Sequence, residues 1–184
     1  LQAVISFYDI TAQREREIAF QKWKQSYAEM PVEGMVYYEF DLTRDVYIRE
    51  AGKMLPALPA EARGTLAQAV DHLADHAVFP ADDQSFRTFF SRSRLLEAFE
   101  HGIRSDKMEL RRTDEQGKSL WTLASVQLIS DPYSHSVQSF LLLKDIDEQK
   151  RNELLVRARS VSDPLTGLLN RSAFEEQLME LLTR

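Results

Sequence analysis

The chain contains no cysteine. Disulfide bonds, thiolate metal ligands and cysteine nucleophiles are therefore excluded, as is a flavin photoreceptor that forms a cysteinyl adduct. Long hydrophobic runs are missing too, because apolar stretches such as Phe140 to Leu143 are far shorter than the roughly 20 residues that cross a bilayer. We therefore expect no membrane contact by this chain and a cytoplasmic location.

An excess of positive charge is also absent, since 29 acidic residues outnumber 23 basic ones and the pI is near 5.3. Nucleic-acid binding depends on clustered Lys and Arg side chains that contact phosphates. The basic pairs Arg111-Arg112 and Lys150-Arg151 instead stand beside acidic residues. We expect no nucleic-acid partner. The 43% of hydrophobic residues indicates a globular domain with one core.

The most specific pattern in the chain lies near its C-terminus. Residues Asp163 to Arg171 read D-P-L-T-G-L-L-N-R, and Phe174 follows. This run resembles the D-x-L-T-G-L-x-N-R-x-x-F signature that opens the GGDEF family of diguanylate cyclases, which condense two GTP into cyclic di-GMP. The resemblance implies that residues 163–184 begin a GGDEF domain. It also implies a structural ion pair between Asp163 and Arg171.

The chain stops at Arg184 before any Gly-Gly-Asp/Glu-Glu-Phe sequence. We expect no catalytic residue and no catalytic activity within these residues. GTP and Mg²⁺ would be needed only by the remainder of the cyclase domain. Leu1 in place of an initiating Met favours a longer parent protein. An active cyclase and a degenerate one that only binds nucleotide are both open for that parent.

Two similar charged segments, Asp9 to Ile18 and Asp145 to Leu154, each follow a short apolar stretch. Both resemble the exit of a PAS domain, where a last strand ending in Asp-Ile-Thr/Asp passes into a signalling helix. The resemblance implies that residues 1–11 end a preceding PAS domain and that the second segment closes another. Helix capping and i,i+4 charge pairs also explain these residues, and both interpretations can hold.

Hydrophobic periodicity predicts the elements between these segments. Phe20, Trp23, Tyr27 and Met30 recur at steps of three and four, which indicates an amphipathic helix. Strict alternation of apolar and polar residues indicates strands elsewhere. The predicted elements, in chain order, are a linker helix at 12–29, strands at 36–42 and 46–49, a helix at 66–77, one helix from 80 to Gly102, strands at 108–113, 119–129 and 137–144, and a signalling helix at 148–162.

This order of elements resembles the PAS fold over residues 30–147. The resemblance implies an α+β fold, with a five-stranded antiparallel sheet, short helices on one face, and flanking N- and C-terminal signalling helices. The stretches that resemble the family pattern H-P-D-D, E-x-R, D-G and W are Phe79 to Asp83, Glu109 to Arg112, Gly117 and Trp121. Phe79 departs from that pattern, because His is common there.

A PAS domain can hold a small ligand between its sheet and its helices. The chain offers aromatic residues to line such a cavity, and the nature of any cofactor is unknown. The alternative is that these rings fill the interior completely. The candidate lining residues are Tyr38, Phe40, Phe86, Phe89, Phe90 and Trp121.

Five polar residues of the helical region are further candidate sites. His72 and His76 lie one helical turn apart, a spacing at which two imidazoles can bind zinc. No third ligand is evident nearby, so we predict no metal site; haem ligation by either of them or by His101 is the remaining alternative. Asp82 and Asp83 are adjacent and do not face each other, so we predict that they cap a helix.

The signalling helix carries a heptad pattern, because Leu154, Ala158, Val161, Leu165 and Leu168 recur at steps of four and three. This spacing favours a parallel homodimer through the flanking helices, and a single helix packed on its own domain is the alternative. We predict a sensory domain that passes a signal through this helix to a cyclic di-GMP-producing output domain. The alternative is a ligand-free module for dimerisation and relay only. The candidate relay residues are Asp145, Leu154, Ala158, Val161, Asp163 and Arg171.

Overall fold

The computed structural model describes residues 11–28, 33–114, 116–161 and Phe174. The chain divides after Asp145 into two compact units. The helices are α1 (Thr11–Ala28), α2 (Leu66–His76), α3 (Asp83–Phe89), α4 (Arg92–Glu100) and α5 (Asp147–Val161), with short 3-10 turns at Ala60–Ala62 and Pro80–Asp82. The strands are β1 (Met35–Asp41), β2 (Val46–Gly52), β3 (Ser105–Thr113), β4 (Ser119–Ser130) and β5 (Val137–Asp145).

The five strands form one antiparallel sheet in the order β2-β1-β5-β4-β3. The last strand, β5, lies in the centre of the sheet, where it pairs with β1 on one side and β4 on the other. The helices α2, α3 and α4 contribute to the core cluster on one face of this sheet. The predicted α+β fold class is confirmed.

The two faces of the sheet differ because side chains alternate along each strand. On β4, Thr122, Ala124, Val126 and Leu128 are buried, and the residues between them are only partly buried. The buried set continues on β5 and β1, since Val126 pairs with Leu141 and Leu141 pairs with Tyr38. The period of two that predicted these strands therefore also determines which side chains meet the helices.

The start of α2 is fixed by a capping box. The hydroxyl of Thr65 accepts a hydrogen bond from the backbone N–H of Gln68 at 3.2 Å, and the Gln68 side chain accepts one from the backbone N–H of Thr65 at 2.9 Å. These bonds satisfy donors that a helix start leaves without partners. From this start, Leu66, Val70 and Leu73 present one apolar face to the core, as their spacing predicts.

The single helix predicted from residue 80 to Gly102 is wrong. The segment is a 3-10 turn followed by α3 and α4, with extended backbone at Ser91 between the two helices. Phe86, Phe90 and Leu95 are all fully buried. At 100° per residue a continuous helix would place Leu95 opposite Phe86. The break at Ser91 therefore lets both side chains enter the same core.

Both predicted flanking helices, α1 and α5, are present. Several of the residues on which their predictions depend lie outside the described part. Phe20 on α1 is 3% exposed, as expected for its apolar face. Residues 1–10, the side chains of Trp23 and Tyr27, Met30 and residues 162–173 lie outside the described part. Within the described residues, no helix is both long enough and apolar enough to span a membrane.

Candidate functional site

Most of the aromatic residues predicted to line an interior cavity lie in the core. Tyr38, Phe40, Phe86 and Phe90 are completely buried in the core cluster. The ring of Phe90 contacts those of Phe86 and Phe89 edge to face, with centroids 4.9 and 4.8 Å apart. Phe89 is partly buried against the same cluster. These five aromatic residues therefore pack together in the core, and their role in lining a ligand cavity stays a prediction.

The sixth candidate, Trp121, does not join them. It alternates along β4 with the core-facing Thr122, so its side chain lies on the opposite face of the sheet. There the guanidinium of Arg111 lies 4.8 Å from the ring centroid of Phe79 and 6.0 Å from that of Trp121. Placing Trp121 in the cavity lining is a wrong prediction, because the periodicity of the strand was not applied to it.

Polar groups are also present in the core. The hydroxyl of Tyr38 is buried and has no hydrogen-bond partner among the described residues, and the same is true of the Ser139 hydroxyl. Burial, with a smaller contribution from the charge of Glu50, raises the pKa of Tyr38 far above its ordinary value. The phenol is therefore neutral at any physiological pH. These hydroxyls are the polar groups that a ligand within the core would meet.

A second space lies at the surface of the same unit. It is a cleft of about 430 Å³ between the C-terminal half of α2, the segment that follows β2, and the end of β3. Its walls combine apolar and polar side chains. The lining residues in the described part are Met54, Leu55, Pro56, His72, Leu73, His76, Ala77, Arg112, Thr113, Asp114 and Gln116.

The two histidines of the cleft stack on each other, with ring centroids 4.2 Å apart. The Nδ1 atom of His76 lies 2.9 Å from the carbonyl oxygen of His72. Because a carbonyl oxygen only accepts, Nδ1 is the donor, and Nε2 of His76 is left for another partner. Among the described residues, no group of three His, Cys, Asp or Glu side chains could hold a metal ion.

The acidic neighbours of these histidines on α2 are engaged elsewhere. Asp71 and Asp75 both pair with Arg87 on α3, and Asp83 pairs with the same guanidinium at 3.0 Å. The hydrogen bond to Asp83, and then that to Asp75, raises the pKa of Arg87 further above its ordinary value. This arrangement connects α2 to α3. Asp71 and Asp75 are therefore paired with Arg87 and are not available as partners of His72.

Asp83 lies in the first turn of α3, as predicted, but the predicted capping bond of Asp82 is absent. Asp82 occupies the N-cap position of α3, yet its side chain makes no capping hydrogen bond. Instead its carboxylate accepts three hydrogen bonds from Arg111, from the backbone N–H at 2.8 Å, from Nε at 2.9 Å and from Nη2 at 2.8 Å. The Arg111 side-chain bond is the main reason that the pKa of Asp82 is lowered.

Arg112 is a site residue that the sequence-based predictions missed. Its Nη2 donates to Asp145 at 2.7 Å, so the edge strand β3 reaches across β4 to the last residue of β5. The Arg112 side chain is only 13% exposed. Its Nε is buried and has no hydrogen-bond partner among the described residues. The second Arg of the E-x-R-R run was the signal that could have identified it.

The predicted relay residues are spread over both units. Asp145 ends β5, and its backbone N–H donates to the carbonyl of Gly34 at 2.8 Å. Leu154 lies on α5 and is 47% exposed. Ala158 and Val161 belong to the same helix, but their side chains lie outside the described part. Asp163 and Arg171 also lie outside the described residues, so their ion pair stays a prediction.

No protein-family model and no curated protein matches the chain. Solved structures similar to it include the N-terminal domain of a diguanylate cyclase with PAS/PAC sensor from Marinobacter aquaeolei, at 13% identity and a TM-score of 0.42, covering 63% of this chain and 98% of that one. A PAS domain from Colwellia psychrerythraea is 16% identical with a TM-score of 0.42, covering 71% and 98%. A sensory box histidine kinase/response regulator from Burkholderia thailandensis is 12% identical with a TM-score of 0.36, covering 74% and 92%.

Proposed function

We propose that residues 30–147 act as a cytoplasmic sensory PAS domain and regulate a GGDEF domain that makes cyclic di-GMP. In this proposal a change within the domain alters the angle or register of α5, and α5 biases how two cyclase domains meet. The helix is thus the element with two states, and the sensory domain shifts the balance between them. The chain itself has no catalytic step.

The ion pair of Arg112 and Asp145 is the observation that supports this proposal most directly. Asp145 is the last residue of β5, and α5 begins at Asp147. A guanidinium on the opposite edge strand holds the carboxylate at 2.7 Å. A shift of β3 therefore pulls on the residue at which the sheet ends and the chain enters the helix. The start of α5 is stabilised by Asp147 itself, which pairs with Arg151 at 2.6 Å.

The exposed apolar side chains of α5 support dimerisation. Leu154, Leu155 and Val156 are 47%, 56% and 68% exposed, an unusual set of adjacent apolar residues for a solvated helix. Parallel pairing of two copies through the heptad positions would bury part of this surface. In the proposal, this homodimer brings two GTP-loaded cyclase domains face to face.

Insertions in α5 of the intact parent protein test the proposal. We would insert one to four Ala residues between Asn152 and Ser162 and measure cyclic di-GMP synthesis. Each residue turns a helix by about 100° and lengthens it by about 1.5 Å, so activity should depend strongly on insertion length. A seven-residue insertion is the matched control, because it restores the heptad register. Equal activity for every length would refute the relay.

A second candidate function is a ligand-free PAS domain that only dimerises and relays. The complete burial of Tyr38, Phe40, Phe86 and Phe90 in the core favours this alternative over a ligand in the interior. Native mass spectrometry and an absorbance spectrum of the purified chain distinguish the two. A stoichiometric adduct would support sensing within the core, and an unmodified apo mass with no absorbing group would support relay alone.

A further inference from the structure

We infer that the surface cleft between α2 and the end of β3 binds a small organic carboxylate, and that this ligand competes with Asp145 for the guanidinium of Arg112. The binding site stands on the geometry of the cleft. The effect on output rests on the proposed function, because it requires α5 to relay a change at Asp145.

The size and walls of the cleft suit a small amphipathic molecule. Its volume of about 430 Å³ lies within the range of roughly 300–1,000 Å³ that is common for small-molecule sites. Met54, Leu55 and Pro56 form one apolar wall, and Leu73 of α2 and Ala77, which follows α2, belong to another. A hydrocarbon portion of a few carbons would gain from contact with these side chains.

Arg112 provides the polar anchor of the site. A guanidinium has five N–H donors in a planar fork that matches a carboxylate. Asp145 occupies Nη2, whereas the buried Nε has no partner among the described residues. A buried donor without a partner is unfavourable, so a ligand that displaces Asp145 and also reaches Nε is favoured. A carboxylate can accept from Nε and a terminal nitrogen together.

Other polar groups of the cleft limit the choice of ligand. The hydroxyl of Thr113 can donate to an oxygen, and Nε2 of His76 can do so when its imidazole is protonated, because Nδ1 already donates to the carbonyl of His72. Asp114 carries a negative charge, but its Oδ1 already accepts from the backbone N–H groups of Gln116 at 2.9 Å and Lys118 at 2.8 Å. The only arginine of the described lining is balanced by Asp145. A ligand carboxylate therefore gains most by replacing Asp145, which makes the binding competitive.

Competition at Arg112 would have a direct structural effect. The bound ligand would hold Arg112 and break its pair with Asp145, which links β3 to the last residue of β5. The backbone bond from Asp145 to Gly34 would remain, so the sheet would keep its register at this end. Asp145 lies two residues before the start of α5 at Asp147. In the proposed function, the signal enters α5 from this end of β5.

Titration of the full 184-residue chain with hexanoate tests the site. Isothermal titration calorimetry gives the affinity, and nitrogen-15 NMR follows the Arg112 Nε–H signal, which is assigned by its loss in Arg112→Lys. Hexanamide, which lacks the charge, and inorganic phosphate, which lacks the apolar portion, are the matched probes. We expect saturable binding of hexanoate, at least tenfold tighter than either probe, with a shift of the Nε–H signal.

Two substitutions with opposite expected effects separate competition from simple loss of structure. Arg112→Lys should weaken hexanoate binding about tenfold or more, because a lysine has no planar fork. Asp145→Asn should strengthen it severalfold, because the internal competitor loses its charge. His76→Gln should weaken binding a few-fold. His101→Gln is its control, because His101 also bonds a carbonyl four residues earlier, that of Glu97 at 2.8 Å, and does not line the cleft.

Several outcomes would overturn the inference. Absence of saturable hexanoate binding to both the natural chain and Asp145→Asn would remove the site. Equal affinity for hexanamide would show that the carboxylate is irrelevant, and weaker binding by a folded Asp145→Asn would contradict competition. All of these measurements use the 184-residue chain and require no cyclase activity. They can therefore succeed while the insertion series in α5 fails, or fail while that series succeeds.

Discussion

The interior core and the surface cleft of the same unit differ in the kinds of side chain that form them. The core consists of aromatic and aliphatic side chains with almost no exposed area, and its polar atoms are a few isolated hydroxyls. The cleft has apolar walls, but one arginine, two histidines and an aspartate converge on it. Close packing stabilises a fold, whereas convergent polar groups beside free space give a ligand something to bind. The core therefore stabilises the fold, and the proposed recognition of a ligand belongs to the cleft.

The largest expected effect tests the structural role of the core. Phe86→Ala removes a fully buried ring, and we expect a loss of about 3–5 kcal/mol in the free energy of unfolding, measured by urea denaturation. Ile103→Ala is the control, because Ile103 is 48% exposed and should cost no more than about 0.5 kcal/mol. A loss near 1 kcal/mol for Phe86→Ala would mean that the core is loosely packed and has room for a ligand.

A smaller effect is expected at the ion pair beside the cleft. Asp145→Ala leaves the mostly buried guanidinium of Arg112 without its carboxylate, and we expect a loss of about 1–3 kcal/mol in the free energy of unfolding. Glu153→Ala removes a carboxylate that is 59% exposed and pairs with Lys150 at 3.3 Å, and it should cost no more than about 0.5 kcal/mol. If the two substitutions cost the same, Arg112 is solvated and has no need of a partner.

The Asp82 to Arg111 pair should make stability depend on acid pH. The folded state lowers the pKa of Asp82 below its ordinary value of 3.8, so the carboxylate stays ionised in the folded chain at pH values where it is protonated in the unfolded one. The stabilisation is complete above about pH 5 and is lost as the pH falls through the folded pKa. The stability difference between the natural chain and Asp82→Asn should therefore shrink from pH 5 towards pH 2.

Urea denaturation at a series of pH values measures this difference. Glu61→Gln, at an exposed position in the 3-10 turn before α2, is the control for changes in overall charge. A difference between the natural chain and Asp82→Asn that stays constant over the acid range would show that Arg111 does not stabilise the ionised carboxylate.

The smallest expected effect on stability is that of a substitution in the cleft, His76→Gln. His76→Gln should change the free energy of unfolding by no more than about 0.5 kcal/mol, because His76 is exposed at the surface of α2. A binding defect in this variant would then be a defect of recognition. A loss of more than about 2 kcal/mol would instead place His76 among the structural residues.

Local patterns explain why much of the fold could be predicted. Alternation along β4 and the capping residues of α2 act within a few positions, so the sequence shows them directly. The break at Ser91 could not be predicted in this way, because it is set by the fit of Phe86 and Leu95 into one core. Trp121 was misplaced although its alternation with Thr122 was visible in the sequence.

The candidate site was less accessible to prediction than the fold. His72 and His76 attracted attention as a metal pair, because their spacing is a local signal. Arg112 and Asp145 were not connected, since they meet across an intervening strand whose register only the folded sheet defines. The cleft likewise arises from three segments that are distant in the sequence. Sites assembled by such nonlocal contacts leave little trace in a single sequence.

The central position of β5 has a consequence for biosynthesis. A ribosome releases β1 first, yet the neighbour that completes its pairing on the inner side is the last strand to emerge. Until then β1 and β4 expose adjoining open edges, which are templates for pairing with other chains. In the nascent polypeptide these edges stay unpaired until residue 145 has left the exit tunnel, and we expect truncation before β5 to promote aggregation.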